Sequence, residues 1–520
     1  MGSFRAAPGR GPCDGGRAAG HPGGHSGTHP ADTHTSPSPP VCVCPPVSAR
    51  PPFSTGRRAG PVHAVVTRRP GEAAVRSVRA VRGYGPARSG ARAHRAPGGE
   101  TPDREGAVPT DAADFDVVIV GAGAAGLSLA HHLCAPGGRT PLSVALVDAP
   151  PGPLRPPPRT WCFWERAAGP YDGALTASWS RLRVRPADGD AVTADLPELR
   201  YKMLRSDAFE ALVGRRLSGS PGLRRTAATV ESVRDLPGGG AEVIGRDAAG
   251  DRVALRGRHV FDSRPPRLLP PARTTLLQHF SGWFVRTERP AFDPAVAELM
   301  DFRTPRPARG LSFGYVLPMD AHTALVEYTE FSPAPLTADA YRRALDHYTR
   351  DVLRLGAFEV TATEHGAIPM TDGRFPRRTG RSSYRIGTAG GATRPSTGYT
   401  FAAVQRQSRA IAAALRAGRP LRVPPAHSAR SRAMDAVMLR ALDTGRIDGS
   451  DFFGRLFRGV PAERLLTFLD SGSRWYEDLL VGVRTPVGPM LRTVAELPFT
   501  PRRSSRPLPP PPSGPEERST

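Results

Sequence analysis

The sequence predicts an α/β fold: one domain built on a strand, a glycine-rich turn and a helix, interrupted by a mostly antiparallel β insertion and followed by a helical C-terminal region. Three observations predict it. A short apolar run, Val117 to Val120, enters Gly121-x-Gly123-x-x-Gly126 and continues into the helix-compatible LSLAHHL. Period-two segments rich in β-branched and aromatic residues follow between 175 and 330. A second strand–glycine turn–helix pattern, RIGTAGGATRPSTGYTFAAVQRQSRAIAAALRAG, returns late, between 385 and 418.

The first unit has the chemistry of a dinucleotide site. Gly121 allows a tight turn, Gly123 lets backbone approach a pyrophosphate, and Gly126 lets the helix pack closely on the strand. With Ala124 and Ala125, these residues place a helix N-terminus, with its unpaired N–H groups and positive dipole end, where an anion would sit. About 20 residues further on, the apolar run SVALVD ends in Asp148, the position of a ribose-binding acid. An acid there favours FAD or NAD over NADP.

The elements then follow in order. A Pro-rich connector, PPGPLRPPPR, leads into RTWCFWER, and SWSRLRVR reads as short strands. YKMLRSDAFEALVGRRL contains a helix entered near Ser206, with Ser206 or Asp207 as its cap. ATVESVRDL, AEVIGRD and HVFDS read as strands, with DLPGGG and DAAGD as turns. LLQHFSGWFVRTE, GLSFGYVLPM and TALVEYTEF form a larger antiparallel sheet, and LTADAYRRALDHYTRDVLRLG is an amphipathic helix. The division is therefore 1–112, a Pro/Gly/Arg-rich disordered extension; 113–180, 201–265 and 373–420, three parts of the Rossmann-like domain; 181–200 and 266–372, the β insertion; 421–500, helices; and 501–520, a disordered tail. An early nucleotide unit and a late glycine turn bracketing a β insertion is the layout of flavoproteins that bind FAD in extended form.

Composition narrows the function. Residues 1–112 carry too few large apolar residues to offset the entropy of ordering, and they lack the apolar core of a targeting peptide. A working start near Asp111 is expected. The net charge of +23 comes almost wholly from arginine, without a helix-turn-helix, zinc-finger or RNP pattern to direct it, so no nucleic-acid partner is expected. The 5 cysteines include CVC but no CxxC pair; no zinc or other metal site is expected, and the usage suits a reducing cytoplasm. No apolar stretch is long enough to span a bilayer.

RTWCFWE (159–165), YKMLRSDAFE (201–210), VFDSRP (260–265), LQHFSGWFV (277–285), LVEYTEF (325–331) and GTAGGATRPSTGYTF (387–401) closely resemble the bacterial flavin-dependent lycopene β-cyclases of carotenoid biosynthesis. The resemblance runs from about Phe115 to about Met490. It implies an isomerase that closes β-ionone rings on an open carotenoid end group, using reduced FAD with NAD(P)H as reductant. It also implies a carotenoid substrate dissolved in the membrane. A peripheral contact at the inner face of the cell membrane follows, with FFGRLF and LLTFL in 421–490 read equally as docking segments or as core-facing helices. The rival readings are an isoprenoid-directed FAD monooxygenase or reductase, and a flavin-binding scaffold without activity.

Protonating an alkene needs a strong acid shielded from water, and a carboxyl in an apolar pocket keeps its proton near neutral pH. The resemblance assigns that role to Glu327 in LVEYTEF; Glu330, on the other face by strand alternation, is the runner-up. Glu165 reads either as a second pocket acid or base, or as an ion-pair partner of Arg159 or Arg166. Trp161, Phe163, Trp164, Trp283, Phe284, Phe313 and Tyr315 are candidates to line the substrate tunnel and stabilise a cation, although strand aromatics are commonly core. Arg205, Asp262, Gly387, Gly390, Gly391 and Gly398 are the further cofactor candidates. Arg205 is equally a surface residue, and Asp262 equally the cap of a turn.

Overall fold

The computed structural model describes residues 113–135, 142–152, 154–166 and 168–507. The N-terminal extension, its expected start site and residues 508–520 lie outside them.

The Gly-rich unit folds as β1 (Phe115–Val120), α1 (Ala124–Leu133) and β2 (Val144–Asp148). It is followed by β3 (Thr160–Arg166), β4 (Leu175–Trp179), β5 (Arg181–Arg185), β6 (Val192–Asp195), β7 (Leu199–Arg205), α2 (Ser206–Leu217) and β8 (Leu223–Ala227). A meander of β9 (Thr229–Asp235), β10 (Ala241–Arg246) and β11 (Arg252–Asp262) comes next, turning at the two expected glycine-rich turns. The chain then runs through β12 (Leu268–Leu269), β13 (Thr275–Thr287), β14 (Val296–Asp301), β15 (Leu311–Pro318), β16 (Thr323–Ser332), α3 (Ala338–His347), β17 (Phe358–Thr371) and β18 (Ser383–Arg385). It ends in α4 (Phe401–Arg416), α5 (Ala429–Asp443), α6 (Gly449–Gly459), α7 (Ala462–Leu469), α8 (Trp475–Gly482), α9 (Val487–Glu496) and β19 (Arg506–Pro507).

Three larger sheets organise these elements. In the first, β8-β2-β1-β11 are parallel neighbours, β18 adds in parallel to the end of β11, and β10 and β9 extend the start of β11 antiparallel. Val117 to Val120 are fully buried, as a parallel strand covered on both faces requires. The second sheet runs β17-β13-β16-β15-β14-β5-β6, antiparallel except between β14 and β5. The third, β3-β7-β4, is small and antiparallel. The α/β class and the mostly antiparallel insertion are as the sequence predicts.

In the second sheet β13 is the strand that both β16 and β17 pair with. One face of this sheet joins Trp164, Tyr201, Phe313 and Phe331 with α5 to α7 in the largest apolar core. The other face is covered by α3, whose buried Tyr341 and Leu345 lie one turn apart and whose Thr337 cap accepts from the Ala340 N–H at 3.3 Å.

Three expectations change. Helix α2 begins at Ser206, but the Ser206 hydroxyl accepts from the Arg159 N–H instead of capping the helix, and Asp207 accepts from its neighbour Ala208 and pairs with Arg205 at 3.8 Å. The chain beyond 500 is ordered as far as 507: Arg503 pairs its backbone with Ala272, Pro507 pairs with Leu268, and Arg502 reaches Asp372. Backbone pairing to an edge needs no apolar side chains, so composition alone misses it. FFGRLF and LLTFL turn inward: Phe452, Phe453, Leu456, Phe457, Leu465 and Leu466 are core residues, each worth roughly 1.5–3 kcal/mol of burial. Most of the large exposed apolar side chains lie just beyond, on α8 and α9.

Candidate active site

The two glycine turns meet. Gly121 has φ +92°, and a Cβ there would come 2.5 Å from Ser263 Oγ. A Cβ on Gly126 would come 1.8 Å from the Gly121 carbonyl oxygen, so the helix can approach the strand only without a side chain. Gly123 differs: its backbone is extended, no side chain caps the helix it opens, and a Cβ there would meet nothing within 4 Å. The open space over an uncapped helix N-terminus is the cradle a pyrophosphate needs. Asp148 stands at the end of β2 with Oδ1 accepting the Ala122 N–H at 3.0 Å. The residues present therefore fit a dinucleotide.

From the late motif, Gly387 packs against α1, a Cβ there lying 2.9 Å from Ala125 Cβ. Gly390 closes the turn against the Arg385 carbonyl, and Gly391 and Gly398 have φ +76° and +73°. Asp262, at the end of β11, has its carboxylate taken up by its own turn: it accepts from the Arg264 backbone at 3.0 Å and from the Arg264 guanidinium at 2.8 Å. Arg205 reaches the second sheet. Its guanidinium lies 3.3 Å from Glu364 Oε2 and 4.7 Å over the Phe284 ring.

The chemistry-bearing row lies on the second sheet. Glu364 on β17, Gly282 on β13, Glu327 on β16 and Tyr315 on β15 are register partners, so their side chains share one face. Glu327 is 7% exposed. Burial raises its carboxyl to about 8; the Thr329 hydroxyl, donating to Oε1 at 2.5 Å, opposes this, and nearby Glu364 adds to it. Glu364 is also buried, and burial pushes its carboxyl up against the pull of its donors. Oε1 accepts the Thr160 N–H and Oε2 the Thr160 hydroxyl, both at 2.6 Å. Cys162, on the strand that carries Thr160, feels both carboxyls; chiefly through burial its thiol is pushed up to about 12, so it is no nucleophile.

Aromatic side chains close this face. Tyr201 Oη lies 2.5 Å from Tyr315 Oη and 3.0 Å from Tyr399 Oη, and the Trp164 ring meets Tyr399 edge-on at 4.6 Å. Of the seven candidate tunnel aromatics, Trp164, Phe284, Phe313 and Tyr315 belong to the core around Glu327. Trp161 and Phe163 pack instead on Phe401 in the nucleotide domain, and Trp283 points to the opposite face of its sheet, toward Phe358. A cleft lined by Cys162, Trp164, Arg394, Tyr399 and His427 adjoins the row.

The other candidate acids lie elsewhere. Glu330 faces α3, accepting from Tyr328 Oη at 2.8 Å and standing 3.6 Å from His279 Nε2; burial holds His279 neutral, at about 4. Glu165 is an ion-pair partner, but of Lys202, at 3.2 Å, and not of Arg159 or Arg166; Lys202 is buried and also meets Asp172 at 2.6 Å. Arg166 pairs with Glu198. Sequence reasoning missed Glu364, Tyr201 and Tyr399. The available signal was alternation: Glu364, Gly366 and Ile368 share a face with the residues opposite Glu327.

Helices α8 and α9 expose Trp475, Tyr476, Leu479, Leu480 and Val483, then Val487, Leu491 and Val494, at helical spacing; Trp475 is 67% and the following Phe499 87% exposed. Arg474, Arg484 and Arg492 are exposed among them. No helix among the described residues is long and apolar enough to cross a membrane.

The model of the family described as "Lycopene cyclase protein" matches residues 116–495. No curated protein matches the chain. Among solved structures, a geranylgeranyl bacteriochlorophyll reductase-like protein from Thermoplasma acidophilum is 14% identical, over 74% of this chain and 96% of that one, with a TM-score of 0.46. A p-nitrophenol 4-monooxygenase from Pseudomonas putida DLL-E4 is 17% identical over 75% and 99%, with a TM-score of 0.48. A flavoprotein/dehydrogenase from Cytophaga hutchinsonii is 11% identical over 74% and 100%, also at 0.48. At this level of likeness nothing of those proteins' chemistry transfers.

Proposed function

Because the chain belongs to the lycopene cyclase family, we propose that it closes β-ionone rings on the linear end groups of lycopene, by acid catalysis and without net oxidation. The observation that carries this reading is Glu327: a carboxylic acid kept neutral at pH 7 by burial, on a face it shares with Trp164, Phe284, Phe313 and Tyr315. Glu327 donates its proton to the terminal double bond, leaving a tertiary cation. The neighbouring double bond attacks it, the ring closes, and a proton leaves. Trp164, Phe284, Phe313 and Tyr315 offer ring faces to the cation, each worth roughly 0.5–2 kcal/mol, and carry no nucleophile that would trap it as readily as water.

FAD is the dinucleotide of this reading, held by Gly121, Gly123, Gly126, Asp148 and the late turn. In its reduced form, maintained by NAD(P)H, it supplies an electron-rich ring system that favours nearby positive charge. The protein's own part would be to hold that cofactor on the glycine turns, to orient the substrate and to exclude water. The substrate is a membrane-dissolved hydrocarbon, and the α8–α9 face, apolar and flanked by exposed arginines, supports a peripheral contact with an anionic bilayer surface.

Expression of the full chain in a lycopene-accumulating bacterial host, beside a Glu327→Gln variant, tests the reading by pigment chromatography. Wild type is expected to yield γ- or β-carotene, and the variant to leave lycopene unchanged. Lycopene left intact by both, with FAD still bound to purified protein, removes the cyclase reading. NAD(P)H consumed in proportion to product identifies a monooxygenase or reductase instead.

A further inference from the structure

Ring closure takes one proton in and gives one proton out, so a site that performs it needs an acceptor as well as a donor. Resting on the cyclase reading, we propose that Glu364 is the acceptor: the base that removes the ring proton once Glu327 has started the reaction.

The sheet geometry carries this. Glu364 and Glu327 occupy one row and one face, with a single strand between them, so their backbones stand about 10 Å apart. Both side chains are long enough to reach one occupant of that face from opposite ends of the row. The residue between them is Gly282, which puts no functional group in the row; a Cβ there would come 2.8 Å from Leu325 Cδ1 and 3.5 Å from Glu327 Cβ.

The two carboxyls are also dressed for opposite tasks. Glu327 receives one hydroxyl donor, Thr329. Glu364 receives three donors, the Thr160 N–H, the Thr160 hydroxyl and the Arg205 guanidinium, the last at 3.3 Å. Donors and a cation favour the ionised form, and a carboxylate with about four lone-pair sites has one left after three donors. Burial pushes both carboxyls up; three groups around Glu364, against one at Glu327, oppose that push. The difference in the donors the two carboxyls receive is what separates a proton donor from an acceptor.

The step balances. The Glu327 O–H bond breaks and its proton forms a C–H bond at the terminal double bond, whose other carbon becomes the cation. The second double bond supplies the electron pair for the ring-closing C–C bond, moving the cation one carbon beyond the junction. The C–H bond at the junction breaks, its pair restores a double bond in the ring, and its proton goes to a Glu364 oxygen. Glu327 ends ionised and Glu364 protonated; one proton passes back before the next turnover, and no oxidant or reductant is consumed.

The test is a Glu364→Gln variant of the full chain in the lycopene host, with ring types resolved by chromatography and flavin content measured on purified protein. Without the base, the last cation loses whichever neighbouring proton is accessible. The variant is therefore expected to keep its flavin, to lose roughly 10²-fold in β-ring formation, and to yield rings with the double bond displaced (ε- or γ-type ends). Only β rings, made at the wild-type rate, would overturn the proposal. Should the glutamine variant not fold, Glu364→Asp decides: a shortened carboxylate should slow closure and leak displaced isomers, and an unchanged rate and ring type count against the base. Failure of wild type to form any ring removes the cyclase reading itself, a different outcome from either.

Discussion

Glu327 and Glu330 sit on the same strand, three positions apart, and look out on opposite faces of one sheet. Glu327 joins the aromatic core with Tyr315 as its row neighbour; Glu330 lies beneath α3 among Tyr328, His279 and Tyr341. Two acids of one short motif are thus committed to different neighbours, and their variants should separate.

Glu330→Ala should lower stability by about 1–3 kcal/mol, because the Tyr328 hydroxyl and His279 lose their buried partner, while folded protein keeps its ring-closing rate. Thermal melts beside pigment analysis check this. A variant that folds with wild-type stability but makes no ring would return Glu330 to the role of acid.

Glu327 should make both catalysis and stability pH-dependent. Its carboxyl rises from 4.5 to about 8 on folding. Between those values the folded protein holds a proton that the unfolded chain has released, so stability falls as pH rises through that window. Glu327→Gln removes this slope, and above pH 8 it should be the more stable protein by up to a few kcal/mol. Ring closure by wild type should fall about tenfold per pH unit above about 8. Melting temperatures at pH 5 and pH 9 for both proteins, with single-turnover rates for wild type, check the signs.

Gly123→Ala and Gly126→Ala should fail differently. Alanine at 123 meets open space and a backbone that tolerates it, so the protein should fold normally and lose flavin affinity by tenfold or more, about 1.4 kcal/mol. Alanine at 126 meets the Gly121 carbonyl, and the fold itself should weaken by at least about 1–3 kcal/mol. Flavin titration and thermal melts on both variants separate the two; normal flavin binding by Gly123→Ala would show that nothing approaches that backbone.

The α8–α9 face should bind vesicles containing anionic lipid, and Leu479→Glu with Leu491→Glu should weaken that binding at least tenfold without changing the melting temperature, since both side chains are exposed. Flotation with anionic and with zwitterionic vesicles checks it. Unchanged flotation of the double variant, or a dimer that hides this face, would assign the surface another partner.

What the sequence discloses here is local. The glycine turn, Asp148, the meander turns and the alternation of β13, β15 and β16 depend on neighbouring residues and appear as spacing. The site depends on register between distant strands, which spacing does not carry. Alternation puts Glu364 on one face with Gly366 and Ile368 but does not say which face is buried; Glu359 of the same strand is exposed and pairs with Arg286. Trp283 and Phe284 are adjacent, so alternation allows only one of them on the Glu327 face, and the structure selects Phe284. An apolar helical stripe is likewise blind to what covers it. FFGRLF turned out to meet the core, while the stripes of α8 and α9 stay open.

Because β13 is the shared neighbour of β16 and β17, both carboxyls inherit their position from one ruler. A strand that slips by one residue turns its whole side-chain set to the other face. Loss of one residue from the first half of β13 would therefore not misplace a single acid; it would turn over β13's own side chains and put a neighbour of Gly282 into the row between the two carboxyls. Loops on either side can lengthen or shorten freely, but the distance between donor and acceptor is locked to the integrity of one extended segment. Any lineage that retunes this chemistry must do so by exchanging side chains along that ruler, not by editing its length.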